Sequence, residues 1–173
     1  LGLTNFDTDH LRLLKACGVP IVSNQVCFSL LDRRAAGPLS DYCLASDVRI
    51  LAFGTLAGGF LSERWLGQPE PAEITDWSKM KYKRFIDAAG GWEAFQNLLG
   101  VLAAVARRHQ VTLSSVATRW VLDHPAVAAA IIGARLGENQ HRADNVRVFS
   151  FALDATDRRQ IDGALAGLSP VAG

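Results

Sequence analysis

The sequence predicts an α/β fold in which parallel β-strands alternate with helices. Residues 48–52 and 127–132 are short apolar runs without the alternation of half-exposed strands, and each leads directly into a glycine-containing turn. Strands of a parallel sheet are buried on both faces and therefore read as continuous apolar runs. Segments with helical periodicity separate the runs, which indicates right-handed β-α-β crossovers.

The first part of the chain is predicted to contain strands at residues 1–3, 21–28 and 48–52. Helices are predicted between them at residues 9–16 and 38–45. Asp7 or Thr8 can cap the first helix, because their side-chain oxygens accept hydrogen bonds from the free amides of the first turn. Gly18 ends that helix, and Pro38 suits the first turn of the next one.

The second part of the chain is predicted to be mostly helical, with helices at residues 92–110, 112–123, 137–148 and 154–165. A fourth strand is expected at residues 127–132, after His124-Pro125 has ended the preceding helix. Residues 61–91 read as a long polar loop, and connections of that length in a compact domain are usually functional or partly disordered.

Four adjacent strands correspond to half of an eight-stranded barrel, in which the outer strands would be exposed edges. The chain begins with Leu1, and the first residues read like the end of a strand already in progress. We therefore expect an N-terminal half of the barrel to be absent from this sequence.

Composition excludes several classes of function. The 173 residues fit one domain, and an apolar fraction of 49% is enough for a core. A net charge of +1 gives no bulk attraction to nucleic acid or to an anionic membrane. The longest apolar stretch falls well short of the roughly 18 residues that a membrane span needs. Cys17, Cys27 and Cys43 match no zinc spacing, so we expect no metal site and free, buried thiols in a reducing cytoplasm.

Three predicted strands have polar or small residues where a barrel would place its site, toward the carboxyl ends. Thr4-Asn5 follows the first strand, Asn24-Gln25 lies in the second, and Phe53-Gly54-Thr55 closes the third. In a barrel these ends surround one mouth, so the side chains can meet at one ligand. Amide side chains donate and accept hydrogen bonds, which suits a carboxamide, and Phe53 offers a flat face to a ring. Each residue alone is better explained as a buried amide bonded to backbone or as a core aromatic, but the coincidence of positions favours a site.

The turns after the third and fourth strands predict contact with phosphate. Glycine lets backbone amides approach a ligand, because no Cβ stands in the way. After the fourth strand, Arg135 precedes a predicted helix start at Gly137, where free amides and a guanidinium can hold an anion. The alternative for Arg135 is a solvated surface arginine.

Catalytic groups are not evident in this chain. The four histidines lie on predicted helices or caps without metal-ligand spacing, and neither a nucleophile elbow nor a phosphate-binding P-loop motif is present. Tyr42 lies in the middle of a helix, where packing is the expected role. Tyr82, between Lys81 and Lys83, is a weak general-acid candidate, and no acid–base pair accompanies it.

Five segments taken together resemble the aldo-keto reductases, in the order and spacing of that family. They are Thr4-Asn5-Phe6, Asn24-Gln25-Val26, Ser29-Leu30-Leu31-Asp32-Arg33-Arg34, Ala52-Phe53-Gly54-Thr55-Leu56-Ala57-Gly58-Gly59-Phe60-Leu61-Ser62 and Ile132-Gly133-Ala134-Arg135. The resemblance implies the C-terminal half of a (β/α)8 TIM barrel over residues 1–173. Residues 1–60 would carry the region of strands 5–7, residues 61–91 the long loop, and residues 92–166 helices and strand 8.

The resemblance also implies an NADPH molecule extended across the barrel mouth. Thr4, Asn5 and Gln25 match the residues that hold the nicotinamide carboxamide, and Phe53 matches the aromatic that stacks on the nicotinamide. The pyrophosphate would be held by Gly54, Thr55, Leu56, Ala57 and Gly59, joined by Arg64. The adenosine phosphate would lie by Gly133 and Arg135, and the adenine end by His141, Asp144 and Asn145.

The family's catalytic Asp, Tyr, Lys and His come from the first four strands, so no catalytic residue is assigned here. The implied function is an NADPH-dependent oxidoreductase of small aldehydes or ketones in the cytoplasm, with this chain supplying the cofactor-binding half. A complementary N-terminal half or self-association would complete the fold. One alternative is a non-catalytic half-barrel that binds a nucleotide or assembles with another chain. A different phosphate-binding barrel, an isomerase or aldolase, would need a catalytic Lys or Glu at a strand end, and none is present.

Overall fold

A four-stranded parallel sheet lies at the centre of the fold. The computed structural model describes residues 1–133 and 142–171. The strands follow one another across the sheet in chain order: β1 (Gly2–Thr4), β2 (Ser23–Cys27), β3 (Arg49–Phe53) and β4 (Val127–Ile131). All three neighbouring pairs are parallel, which confirms the prediction made from the apolar runs.

The described residues form seven α-helices around this sheet. They are α1 (Thr8–Ala16), α2 (Pro38–Ala45), α3 (Trp77–Ala88), α4 (Gly91–His109), α5 (Leu113–Leu122), α6 (Arg142–Arg147) and α7 (Ala155–Ala166). Asp7 caps α1 as predicted, accepting a hydrogen bond of 2.8 Å from the His10 amide. The predicted helix at 137–148 is described only over α6, because residues 134–141 lie outside the described part of the chain.

Residues 61–91 are not the irregular loop that the sequence predicted, because they contain α3. Asp76 caps the helix by accepting a bond of 3.0 Å from the Lys79 amide. Tyr82 and Ile86 are buried one turn apart, followed by buried Ala89. This spacing is that of an amphipathic helix. The lysines, arginines and prolines of residues 61–91 made this helical pattern hard to recognise in the sequence.

The two faces of the sheet differ in how they are covered. Successive side chains of a strand point to opposite faces. Val26, Ile50 and Ala52 are buried in a cluster with residues of α1, α2 and α5. On the opposite face Gln25 and Leu51 are half-buried and Thr4 is exposed. The helical layer therefore covers one face, while the face carrying the predicted carboxamide ligands stays open to solvent.

A second apolar cluster packs α3, α4 and α7 together beside the sheet. A buried carboxylate ties α7 to α4: Asp157 accepts hydrogen bonds from the Arg108 guanidinium and, at 2.6 Å, pairs with Nε2 of His109. Burial opposes the ionisation of Asp157, but the bonds from Arg108 and His109 outweigh it and hold its pKa below the usual value.

The three cysteines are free thiols. Cys27 and Cys43 are buried as expected, but Cys17 is exposed, which corrects the prediction for that residue. Cys17 follows the last turn of α1 and precedes Gly18, so it lies where the chain turns through solvent. Among the described residues, no helix is both long and apolar enough to cross a bilayer.

Candidate functional site

The strand register brings the predicted ligands of β1, β2 and β3 to one end of the sheet. Thr4 is the neighbour of Gln25 across the first strand pair, and the Asn5 amide donates to the Gln25 carbonyl at 2.9 Å. Cys27 is the neighbour of Phe53 in the second pair. Because Thr4, Gln25 and Phe53 stand at even spacings in this register, their side chains share the open face.

Asn24 and Gln25 have separate roles, although the sequence predicts both side chains as candidates for binding a carboxamide. Asn24 is fully buried on the helix-covered face. Its Nδ2 donates to the Phe6 carbonyl at 2.8 Å, and its Oδ1 accepts from the Phe6 amide at 3.4 Å. Asn24 therefore ties down the segment after β1, in which Asn5 has a φ of +59°. It holds the backbone that presents Thr4 and Asn5.

The turn after β3 leaves several polar groups without partners in the protein. The Ala57 amide donates to the Gly54 carbonyl at 2.8 Å, and the Gly59 amide to the Leu56 carbonyl at 2.9 Å. Within the described part of the chain, the amides of Thr55, Leu56 and Gly58 make no hydrogen bond. The Thr55 hydroxyl oxygen is likewise buried without a partner. Closely spaced unpaired amides in a turn form a concavity suited to an anion.

Tyr82 of α3 lies against this turn, a feature that the sequence did not reveal. A Cβ at Gly54 would collide with the Tyr82 hydroxyl and lie 3.1 Å from the Cys27 sulfur. A Cβ at Gly58 would lie 2.6 Å from Cδ2 of the same ring. The two glycines therefore allow α3 to pack directly on the turn, so that Tyr82 braces the segment predicted to bind pyrophosphate.

The environment of Tyr82 does not suit a general acid. Burial, together with the neighbouring Cys27 thiol and the Asp32 carboxylate, raises the pKa of Tyr82 to about 12. Burial and the Asp32 carboxylate also raise the pKa of Cys27 to about 12. Both groups are held neutral, so we interpret them as packing groups under the turn.

Lys81, the residue before Tyr82, lies over the ring predicted to stack on nicotinamide. Its Nζ is 5.4 Å from the centre of the Phe53 ring, 5.3 Å from that of Tyr82 and 5.9 Å from that of Phe85. An ammonium over aromatic faces is attracted by the ring quadrupoles. A flat ligand on this face of Phe53 would have to displace Lys81 or share the ring with it.

A second arginine-bearing loop follows β2. Asp32 is fully buried and accepts bonds of 2.9 and 2.8 Å from Nε and Nη2 of Arg34. Burial opposes ionisation of Asp32, but the Arg34 fork outweighs it and lowers the pKa of the carboxyl. The Ser29 hydroxyl accepts from the Asp32 amide at 3.0 Å and fixes the turn. In the sequence this loop contributed only to the family resemblance, and no function was predicted for its charged side chains.

The remaining predicted ligands are not brought to the glycine turn by any contact that the structure describes. Arg64 is exposed, with its guanidinium 5.7 Å from the centre of the Trp65 ring. Gly133 is exposed after β4, while Asp144 and Asn145 lie on α6, where the Asp144 carbonyl accepts from the Ser115 hydroxyl at 3.3 Å. Arg135 and His141 lie outside the described residues.

No cluster of His, Cys, Asp and Glu side chains suited to a metal ion occurs in the two ranges that the structure describes. Among those residues, the polar groups at the carboxyl end of the sheet are amides, hydroxyls and cations, together with the buried Cys27 thiol and the buried Asp32 carboxylate, which is already bound to Arg34. That inventory suits an anionic organic ligand better than a metal ion.

Comparison with known proteins gives a consistent result. The model of the aldo/keto reductase family matches residues 1–166. Flagellar radial spoke protein 5 of Chlamydomonas reinhardtii is 36% identical over 127 residues, covering 71% of this chain and 24% of that protein. Aldo-keto reductase family 1 member C3 of Pongo abelii is 26% identical over 167 residues, covering 94% of this chain and 42% of that protein.

Solved structures agree at the level of the fold. A glycerol dehydrogenase from Gluconobacter oxydans superposes with a TM-score of 0.78 at 20% identity, covering 100% of this chain and 50% of that one. An aldo-keto reductase from Bacillus halodurans, solved in its holo form, gives a TM-score of 0.66 at 20% identity, covering 94% of this chain and 49% of that one. The chain thus spans half the length, or less, of these relatives.

Proposed function

The chain belongs to the aldo/keto reductase family, and on that premise we propose that it forms the cofactor-holding part of an NADPH-dependent reductase of aldehydes or ketones. We further propose that its sheet is the C-terminal half of a (β/α)8 barrel. The open face of the sheet supports this second proposal, because parallel strands are ordinarily covered on both faces. The catalytic acid–base residues would come from the complementary half.

The observation that carries the proposal is the convergence of Thr4, Gln25 and Phe53 on one face beside the glycine turn. In the proposed arrangement, Thr4, Asn5 and Gln25 bind the nicotinamide carboxamide through hydroxyl and amide groups. Phe53 supports the nicotinamide ring. When bound, NADPH supplies the hydride, and the protein orients it toward the substrate carbonyl.

The glycine turn is suited to the pyrophosphate. The unpaired amides of Thr55, Leu56 and Gly58, with the orphaned Thr55 hydroxyl, are donors without partners in the described residues. Gly59 is exposed, and no atom lies within 4 Å of the position that its Cβ would occupy. We propose that Gly54, Ala57 and Gly59 shape this turn and that the exposed Arg64 joins it from the following segment.

The adenosine end is assigned by the family resemblance. We propose that Gly133 and Arg135 contact the adenosine phosphate, and that His141, Asp144 and Asn145 line the adenine end. Exposure of Gly133 and of Asn145 is compatible with ligand access. Replacing Arg135 by Glu should weaken the binding of NADPH more than the binding of NADH. Equal losses of affinity for the two cofactors would contradict the proposal that Arg135 contacts the phosphate.

The proposal is tested by titrating the protein with NADPH and following the fluorescence of the cofactor. Gln25→Leu should weaken binding by about 2- to 10-fold through the loss of carboxamide hydrogen bonds. Ser23→Ala is the matched control, because Ser23 lies two residues earlier on the same strand and face and should leave the affinity unchanged. Equal effects of the two substitutions would contradict the assignment of Gln25.

A second candidate is a non-catalytic module that assembles with another chain. The 36% identity to a protein named as a flagellar radial spoke component supports it. The open sheet face would then be an assembly surface. Consumption of NADPH in the presence of an aldehyde by the chain together with its complementary half would favour the reductase. Absence of turnover, together with sedimentation as a stable complex, would favour the assembly module.

A further inference from the structure

A cavity of about 420 Å³ lies between the loop after β2 and the segment after α7. Its walls are formed by Arg33, Arg34, Leu165, Ala166, Leu168, Pro170 and Val171. Two guanidinium groups thus stand in an otherwise apolar wall, and among the described residues no carboxylate lines the cavity. The volume falls within the range of about 300–1,000 Å³ that is usual for small-molecule sites.

We propose that this cavity binds a carboxylate of the substrate, so that the enzyme prefers carbonyl compounds that carry an acid group. This inference rests on the proposed reductase function and adds the chemical class of substrate. Arginine forks match the geometry of a carboxylate, and the apolar wall suits the carbon skeleton that joins the acid to the carbonyl.

Arg34 is held in place for this role by partners that do not use all of its donors. Its Nε and Nη2 bind the buried Asp32, and its Cζ is 5.6 Å from the centre of the Phe85 ring. In the described part of the chain, Nη1 makes no hydrogen bond. The side chain keeps 42% of its surface exposed, so Asp32 orients the guanidinium without enclosing it.

Arg33 supplies the second guanidinium, and it uses fewer of its N–H donors in hydrogen bonds within the described chain than Arg34 does. Its Nη2 donates to the Leu168 carbonyl at 3.3 Å, and no carboxylate of the described chain pairs with it. That single bond positions the side chain against the segment after α7. Because the loop has two arginines and one carboxylate, which binds only Arg34, it retains a net positive charge next to the cavity.

The cavity is connected to the proposed nicotinamide platform by contacting side chains. Arg34 packs on Phe85, Lys81 lies 5.9 Å from the centre of the Phe85 ring, and the same Nζ lies 5.4 Å from that of Phe53. Tyr82 packs against the glycine turn instead. Arg34 is thus linked to Phe53 through Phe85 and Lys81, and its partner Asp32 lies beside Cys27 under the glycine turn. Because the proposed function already gives the phosphates of the cofactor other ligands, we assign these arginines to an anion of the substrate.

The test uses the chain together with the complementary half that would supply the catalytic residues. It compares reduction of 4-carboxybenzaldehyde with that of its methyl ester, which keeps the aldehyde and removes the charge. Arg33→Gln should lower kcat/KM for the acid by about 10- to 100-fold and for the ester by less than about twofold, as expected for loss of a charged hydrogen bond. Arg107→Gln, a substitution of an exposed arginine on α4, is the matched control and should change neither value. The affinity for NADPH should be the same in all three proteins.

Several outcomes would overturn the inference while leaving the proposed function standing. They are reduction of the ester as efficiently as the acid by the unmodified protein, equal losses for both aldehydes in Arg33→Gln, and weakened NADPH binding in that variant. The last would assign the arginines to the cofactor. If Arg33→Gln does not fold, Arg33→Lys, which keeps the charge and loses the fork, should reduce the preference for the acid.

If the unmodified chain together with its complementary half reduces neither aldehyde, the proposed function fails, and direct binding then decides whether the anion site exists. Calorimetric titration with benzoate should then show binding that Arg33→Gln abolishes and Arg107→Gln preserves. Absence of benzoate binding to the unmodified protein would overturn the anion site as well.

Discussion

Replacing Gly54 by alanine tests how α3 is seated on the glycine turn. Gly54 has a φ of +67°, and a left-handed conformation costs an ordinary residue about 1–2 kcal/mol. The new Cβ would also collide with the Tyr82 hydroxyl and lie 3.1 Å from the Cys27 sulfur. Overpacking of this kind costs about 1–3 kcal/mol. Together these effects should lower the free energy of unfolding by about 2–5 kcal/mol.

Gly59→Ala separates backbone strain from the collision. Gly59 has a φ of +89°, but no atom lies within 4 Å of its added Cβ, so only the strain of about 1–2 kcal/mol is expected. Unfolding in urea, followed by far-UV circular dichroism, gives the free energy of unfolding of both variants. Adding Tyr82→Phe to Gly54→Ala should restore part of the loss, because the phenyl ring lacks the colliding oxygen.

Equal destabilisation by Gly54→Ala and Gly59→Ala would refute this reasoning. It would mean that Tyr82 does not rest on Gly54, and that the turn is available without contact from α3. The same set of proteins reports on ligand binding, since the stabilisation by NADPH should rise with the logarithm of the affinity that each variant retains.

Three further predictions concern the scaffold around the site. Asp157→Asn should cost about 2 kcal/mol near neutral pH, because Arg108 then loses a buried carboxylate. The folded pKa of Asp157 lies below its usual value of 3.8, so its stabilisation is present above that pH and is lost as pH falls through the folded pKa. Urea unfolding at about pH 7 and about pH 3 should show the difference between the two proteins shrinking, and a constant difference would contradict the ion pair. Asn24→Ala should lower the free energy of unfolding by about 1–3 kcal/mol and speed amide exchange in the segment after β1, whereas unchanged exchange would show that the segment is held otherwise. Cys17 should react with a thiol reagent long before Cys27, whose pKa is raised to about 12, and equal reaction rates would contradict the burial of Cys27.

The sheet could be predicted from the sequence because its signal is local. The apolar runs at 48–52 and 127–132 needed no tertiary information to be interpreted as parallel strands, and β3 and β4 lie there. The helix α3 could not be predicted in the same way. Its buried residues, Tyr82 and Ile86, stand among lysines and arginines. The burial of Tyr82 depends on Gly54 and Gly58, which come much earlier in the chain and make room for its ring.

The same distinction applies to the candidate site. Thr4, Gln25 and Phe53 were found because strand ends converge in any parallel α/β fold, so position along the chain predicted position in space. Lys81 lies over Phe53 only because α3 folds back across the turn, and no spacing rule joins residues 53 and 81. Asn24 was offered as a ligand, yet the alternation of the strand turns it to the covered face, where it binds backbone.

The net charge of the whole chain does not reveal the local excess of positive charge at the carboxyl end of the sheet. The net charge of +1 predicts no attraction to anions. Yet Arg33, Arg34 and Lys81 all lie toward the carboxyl end of the sheet, with Arg34 and Lys81 over the Phe85 ring. Of the carboxylates in the described chain, only Asp32 is seen to pair with any of the three. Asp32 is buried, so it orients Arg34 while contributing little surface of its own. Anions approaching this end therefore meet an excess of positive charge in a partly apolar, low-dielectric setting, where each charge acts more strongly than in water. Under the proposed function, such an arrangement would distinguish an acid-bearing carbonyl compound from its neutral ester, which is why the paired aldehydes test the site more directly than any measurement of overall charge.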